Sequence, residues 1–159
     1  MKKNWIMFWL GVWLAGTVCV AVTAAENFYT IDRLLAGSKS AVFRSTVDQL
    51  GHTQARDLLR YLSSELNRLY FQLWNLAQLP IAVVLLWSTT RRPTEPRIKW
   101  GLAGMLGAVV LMTAWLAPEI VSVGRSLDFV ARDPEPPLLR RFWILHGAYT
   151  TLDLIKLVV

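Results

Sequence analysis

Towards the end of the chain, His146, Thr150 and Asp153 stand at i, i+4 and i+7, a spacing that puts all three on one face of a helix. A histidine can carry a proton near neutral pH or ligate a metal, and a carboxylate can pair with a cation, here Lys156 three residues further on. A second polar stripe runs through Glu65, Arg68, Gln72 and Asn75 at i, i+3, i+7 and i+10, within about 80° of arc at 100° per residue. Gln78 falls about 60° off that face. Glu119, directly after Pro118, is a further acidic candidate. If the helices bearing these stripes are neighbours, His146, Gln72 and Asn75 meet at similar depth, with Thr150, Asp153 and Glu119 around them. Such a face could relay protons or a polar substrate, could seat a haem or quinone, or could satisfy its own polar groups by hydrogen bonds between helices. Bis-histidine haem needs a second histidine opposite His146, and His52 lies in a different setting. No catalytic residue, metal or cofactor is therefore expected.

The rest of the chain narrows the chemistry further. It has no P-loop, no dinucleotide fingerprint, no nucleophile elbow and no His-Glu-x-x-His. Cys19 is the single cysteine and lies in an apolar run, so the chain alone builds no disulfide and no cysteine-based zinc or iron–sulfur site. Of the 159 residues 54% are hydrophobic and 18% charged, with mean hydropathy +0.37, against about 45–50% and about 25% for ordinary globular chains. This balance excludes intrinsic disorder and a water-soluble enzyme domain.

Elements that would hold these side chains follow from charge-free apolar stretches near 20 residues, the length a helix needs to cross a hydrocarbon core of about 30 Å. The expected architecture is all-α, a single integral membrane domain over 1–159 with four transmembrane helices at about 5–25, 70–90, 100–119 and 142–159. The fourth holds His146, Asp153 and Lys156; Lys156, close to the end, is expected to snorkel to the headgroups. A cleaved secretory signal is the competing reading of the first stretch, given Lys2, Lys3 and the small residues around Ala24 and Ala25. Its apolar length and Trp5, Trp9 and Trp13 favour a retained helix instead.

Positive charge in the short segments sets the orientation. Lys2 and Lys3 at the start, and Arg91, Arg92, Arg97 and Lys99 between the second and third stretches, belong on the cytoplasmic side. Both termini are then cytoplasmic and the protein lies in a bacterial inner membrane. The net charge of +6 and pI near 9.9 are absorbed by this asymmetry, so no nucleic-acid partner is expected.

Between the first two stretches, 26–69 is too long for a structureless loop and carries Leu58, Leu59, Leu62, Leu66 and Leu69 at helical spacing. Gly37, Ser38 and Gly51 punctuate it into short helices near 27–36 and 39–50 and a third that starts near Thr53 and runs into the second stretch, with Asn27 or Ser38 as caps. The leucine stripe is expected to be buried in a helical hairpin lying against the outer face of the bundle, the alternative being a dedicated partner-docking surface. Gly101, Gly104 and Gly107 in the third stretch, and Gly11 in the first, predict close helix packing. Pro80 removes a backbone donor inside the second helix.

Leu10-Gly11-Val12-Trp13-Leu14 at the start, Asn67 to Leu79 at the second stretch, and Phe142-x-x-x-His146 opening the last helix together resemble the small four-span proteins related to transmembrane protein 205, grouped as domain of unknown function 4149. The likeness covers the four stretches, although Ala15-Gly16 and Glu26 depart from its pattern. It implies a fold and a membrane and carries no chemistry. The function expected is structural or accessory, in contact with lipid and with a larger membrane-protein complex or further copies of itself. The alternatives are a small transporter or proton-coupled component, and a haem- or quinone-binding subunit.

Overall fold

The computed structural model describes residues 3–91, 94–131 and 133–158, and these are all-α. Lys2 and Arg92 of the charge asymmetry, and Val159 at the end of the fourth apolar stretch, lie outside the described residues. Helix α1 is Lys3–Gly37, α2 Ala41–Leu50, α3 His52–Thr90 and α4 Pro96–Leu111. A π-helical turn, Met112–Leu116, leads directly into α5, Ala117–Arg125, and α6 is Pro137–Val158. Three stretches are long and apolar enough to cross a bilayer: Trp5–Gly37, His52–Thr90, and Pro96–Arg125 taken as one helix. The 22-residue α6 is not among them.

At 1.5 Å per residue the 35 residues of α1 reach about 50 Å, well beyond a hydrocarbon core. The separate helix expected at 27–36 is the continuation of α1. Ala24, Ala25 and Glu26 are helix formers, so nothing stops the helix there. Asn27 does not cap; its Nδ2 donates to Asn67 Oδ1 at 2.7 Å from within the helix. Ser40 caps α2 instead, its Oγ accepting from the Phe43 N–H at 3.2 Å. Gly51 turns the chain from α2 into α3 at φ 85°, a left-handed conformation that a side chain would resist. From there α3 runs 39 residues through Pro80, as the unbroken leucine spacing implied.

Pairings along α1 and α3 run in opposite directions. Trp13 packs with Ala82 and Leu85, Trp74 Nε1 donates to Thr17 Oγ1 at 3.2 Å, Asn67 Nδ2 donates to the Ala24 carbonyl at 2.9 Å, and Arg56 meets Asp32 at 3.1 Å. One apolar cluster joins Trp13, Ala82 and Leu85 to Leu102, Met105 and Val109 of α4. A second joins Met112 and Leu116 of the π turn to Tyr149 of α6, with Phe71 and Leu145 against them. Ahead of Asn67 on α3, Ala55 and Ser63 are buried, Ser63 Oγ donating to the Asn27 carbonyl at 3.5 Å, while Leu58, Leu62 and Leu69 are exposed and Leu59 and Leu66 half-buried. The expected burial of the leucine stripe is thereby corrected for those three: at Ser63 a small residue lets α1 come close and takes the inner face.

The same closeness decides which glycines matter. An added Cβ at Gly11, Gly104 or Gly107 would meet nothing within 4 Å, so these do not pack closely within the chain. At Gly16 it would drive into the indole of Trp74, which the Thr17 hydrogen bond holds in place. Gly16→Leu is expected to cost about 1–3 kcal/mol of stability by overpacking. Gly11→Leu should be near neutral, and thermal unfolding of both variants in mild detergent separates them.

Candidate functional site

Helices α3 and α6 run parallel and are joined by a chain of buried polar groups. Tyr149 donates its hydroxyl hydrogen to Asn75 Oδ1 at 2.8 Å, and Gln78 Nε2 donates to the same oxygen at 3.3 Å. Lys156 Nζ donates to Gln78 Oε1 at 2.7 Å. Its other partner, Asp153 Oδ1, lies 2.7 Å away, an ionic contact set off the hydrogen-bond direction. The ammonium also stands 5.9 Å from the centroid of the Trp13 ring, within cation–π range. Asn75, Gln78 and Lys156 are 2%, 0% and 4% exposed.

Lys156 therefore does not snorkel outward. Asp153, three residues before it on α6, and the Gln78 amide on α3 give the ammonium two partners inside, and the ring of Trp13 closes over it. The rest of α6 is arranged accordingly: Trp143, Ile144, Leu154 and Ile155 are exposed, while Tyr149 and Lys156 are buried. Gln78, which the spacing set apart from the polar stripe, is the residue that reaches the lysine. A long amide turned by about 60° still enters the interface between α3 and α6, a tolerance that angular counting does not capture.

Beside this chain lies a cavity of about 580 Å³. Phe28, Phe71, Leu76, Ile120 and Phe142 form much of its apolar wall, and Gln72, Asn75, Thr113, His146 and Tyr149 line it with polar atoms. The imidazole of His146 stacks on Phe142, with centroids 5.8 Å apart and planes 13° apart, and meets Trp143 edge-on. Two buried polar atoms of lining residues, Asn75 Nδ2 and Thr113 Oγ1, have no hydrogen-bond partner among the described residues. Helical serines and threonines usually bond back to a carbonyl one turn earlier, as Thr46 and Thr150 do here. Thr113 stands in the π turn, where the Ala117 N–H bonds to the Met112 carbonyl five residues back, just ahead of Pro118, which has no N–H to give.

The expected polar face thus divides. His146, Gln72 and Asn75 do meet around one cavity. Asp153 belongs to the lysine below it. Thr150 is exposed and bonds the His146 carbonyl at 3.0 Å. Glu119 pairs with Arg141 at 2.8 Å, so it ties α5 to α6 at their surface. Among the described residues no three His, Cys, Asp or Glu side chains converge to hold a metal ion.

Towards the loop end of α5, Arg68 grips Asp128 with two hydrogen bonds, of 2.9 and 3.0 Å, and also bonds Glu65. Arg125 adds a 3.4 Å contact to Glu65. Hydrogen bonding from Arg68, with Arg125 behind it, holds the Glu65 carboxyl below its usual value despite partial desolvation. Nothing in the spacing indicated Asp128 as the main partner; it lies 60 residues away in sequence.

Two outcomes follow. Removing only the ammonium, with Lys156→Met, strands the Asp153 carboxylate and is expected to cost about 3–5 kcal/mol. Pairing it with Asp153→Leu should restore much of that, as measured by denaturant or thermal unfolding in detergent. A depressed carboxyl stabilises the fold fully above its unfolded value and loses that contribution as pH falls through the lower folded value. Wild-type stability should therefore drop on acidification below the ordinary glutamate range in a step that Glu65→Gln lacks. Compared with known proteins, the chain matches no family model, no curated protein and no solved structure.

Proposed function

We propose that the chain is an integral membrane protein crossing the bilayer four times, over about 5–25, 70–90, 100–119 and 142–159, and serving a structural or accessory role without catalysis. The observation that carries this reading is the inverted arrangement of α6. Its charged and hydroxyl-bearing Lys156 and Tyr149 are turned into the protein while Trp143, Ile144, Leu154 and Ile155 face out, the opposite of a helix resting on a water-soluble core. α6 is not among the stretches apolar enough to cross a bilayer by composition alone, but Lys156 and Asp153 are hidden from whatever surrounds the bundle. A fourth crossing also fits the helix directions, since α6 runs parallel to α3 and antiparallel to α5. The likeness of Leu10–Leu14 and Phe142-x-x-x-His146 to the domain of unknown function 4149 family supports the same fold.

Orientation in this reading comes from Arg91, Arg97 and Lys99, which put the α3–α4 connection and both termini in the cytoplasm of a bacterium. The accessory role is supported by the way the buried polar groups are used. Tyr149, Asn75, Gln78, Lys156 and Asp153 bind one another across two helices, so their chemistry is largely spent on holding the bundle.

A proton-coupled component is the second reading, favoured by the continuity of that same chain from Asp153 to Tyr149 at the cavity wall. It differs from a histidine relay, because the contacts of the His146 ring are with Phe142 and Trp143.

Reporter fusions test the scheme directly. Fusions at either terminus and in 91–99 should report cytoplasm, and those in 38–40 and 126–136 the opposite side; termini on different sides would refute four crossings. The accessory role predicts that the tagged protein, extracted in mild detergent, comes away with larger membrane proteins or further copies. A solitary monomer would speak against it. Loss of a transmembrane pH response in Gln78→Leu, with expression and insertion retained, would select the proton-coupled reading.

A further inference from the structure

Charge is divided unevenly between the two ends of the bundle. Lys2, Lys3, Arg91, Arg92, Arg97 and Lys99 are offset in their own segments by Glu95 alone, so five of the six net positive charges belong to these segments. The segments 26–68 and 119–141 together hold ten cations and nine carboxylates. The start of α1, the end of α3 and the start of α4 lie at one end, because Trp13, Leu85 and Leu102 share one apolar cluster and both α1 and α4 run opposite to α3.

Ion pairing follows the same division. Arg33, Arg56, Arg60, Arg68, Arg125 and Arg141 each stand within 4.0 Å of a carboxylate. Arg91, Arg97 and Lys99 are exposed and make no ion pair among the described residues, and neither does Glu95. Aromatic rings stand among these unpaired cations. The Arg91 guanidinium lies 5.0 Å from the ring centroid of Trp87, within cation–π range, and Trp87 is 57% exposed. Trp100, directly after Lys99, is 77% exposed, and Trp5, Phe8 and Trp9 cluster at the start of α1 with centroids 5.6–6.5 Å apart.

Exposed tryptophans at the ends of apolar helices settle at headgroup level, so headgroups are the nearest outside partners of Arg91 and Lys99. A zwitterionic headgroup brings its own ammonium and neutralises nothing; an anionic one leaves a net negative charge for the protein to meet.

We propose that this end of the bundle docks anionic phospholipid headgroups of the cytoplasmic leaflet, their phosphates pairing with Arg91, Arg97 and Lys99 beside the rings of Trp87 and Trp100. The proposal rests on the membrane reading above and narrows its lipid contact to one headgroup class. Free inorganic phosphate shares the charge of a lipid phosphate but has no chain to lie against exposed indoles.

Lipid retention by the purified full chain in mild detergent tests it. The chain is incubated with equal amounts of dioleoylphosphatidylglycerol and dioleoylphosphatidylcholine, separated from free lipid by gel filtration, and the retained lipids are counted by mass spectrometry. An excess of the phosphatidylglycerol is expected, falling as salt is raised. Arg97→Gln and Lys99→Gln should each lower that excess about five-fold, equivalent to about 1 kcal/mol per cation near an anionic surface. Arg33→Gln removes the same charge at the far end, where Glu26 already pairs with it, and should leave the excess unchanged. All three side chains are exposed, and thermal unfolding confirms that the variants fold. Equal retention of the two lipids, an excess that survives the combined Arg97→Gln and Lys99→Gln change, an equal loss with Arg33→Gln, or displacement of the lipid by equimolar inorganic phosphate overturns the proposal. The reporter fusions are read independently: a correctly inserted chain without the preference loses the headgroup site alone, whereas misplaced termini remove the membrane reading.

Discussion

A buried ammonium must find its partners inside the protein, and here Lys156 sets the terms for two helices at once. Taking an ammonium out of water costs several kcal/mol even after relaxation, and a lone carboxylate 2.7 Å away repays this only with further hydrogen bonds. Gln78 supplies one, Trp13 a ring face, and Gln78 in turn is anchored through Asn75 to Tyr149. Each of these groups is useful only at one register of α6 against α3. Sliding α6 by a single turn would separate Lys156 from Gln78 and Tyr149 from Asn75 together, so the polar chain fixes a register that apolar packing alone would leave loose.

The third long helix does its positioning through a defect. Pro118 cannot donate a backbone hydrogen bond, and the turn before it widens so that Ala117 bonds Met112 five residues back. Met112 and Leu116 still reach the apolar cluster with Tyr149, so the widening does not break the contact between this helix and α6. It changes what Thr113 can do. A threonine in a regular helix commonly bonds its own backbone; at this turn the buried Thr113 hydroxyl makes no such bond among the described residues.

Much of the architecture could be read from the residues because it follows from long-range composition. Charge-free runs marked the three long apolar helices, and the leucine spacing from Leu58 to Leu69 carried α3 through as one helix. What could not be read depends on which of several adequate partners a side chain meets. Lys156 lies near the end of its apolar stretch and has a carboxylate three residues back, and spacing cannot weigh snorkelling against pairing. Gln78 was set aside by an angle that its side-chain length overcomes. Gly104 and Gly107 have the spacing of a packing surface, yet the close approach occurs at Gly16, where Trp74 needs the room. Asp128 is invisible as a partner of Arg68 until α5 is placed beside α3.

Asn75 links the two halves of the candidate site, and that makes them one physical unit. Its oxygen receives two hydrogen bonds from the chain leading to Lys156, while its nitrogen belongs to a residue on the cavity wall. An amide that donates becomes a better acceptor, because both ends share one polarisable group. Anything that accepts from Nδ2 therefore tightens the bonds from Tyr149 and Gln78, and through Gln78 it bears on how firmly Lys156 is held. The reverse also holds: a slackened lysine pair loosens the Asn75 amide. Packing at the cavity wall and bundle register are thus coupled through a single side chain, Asn75.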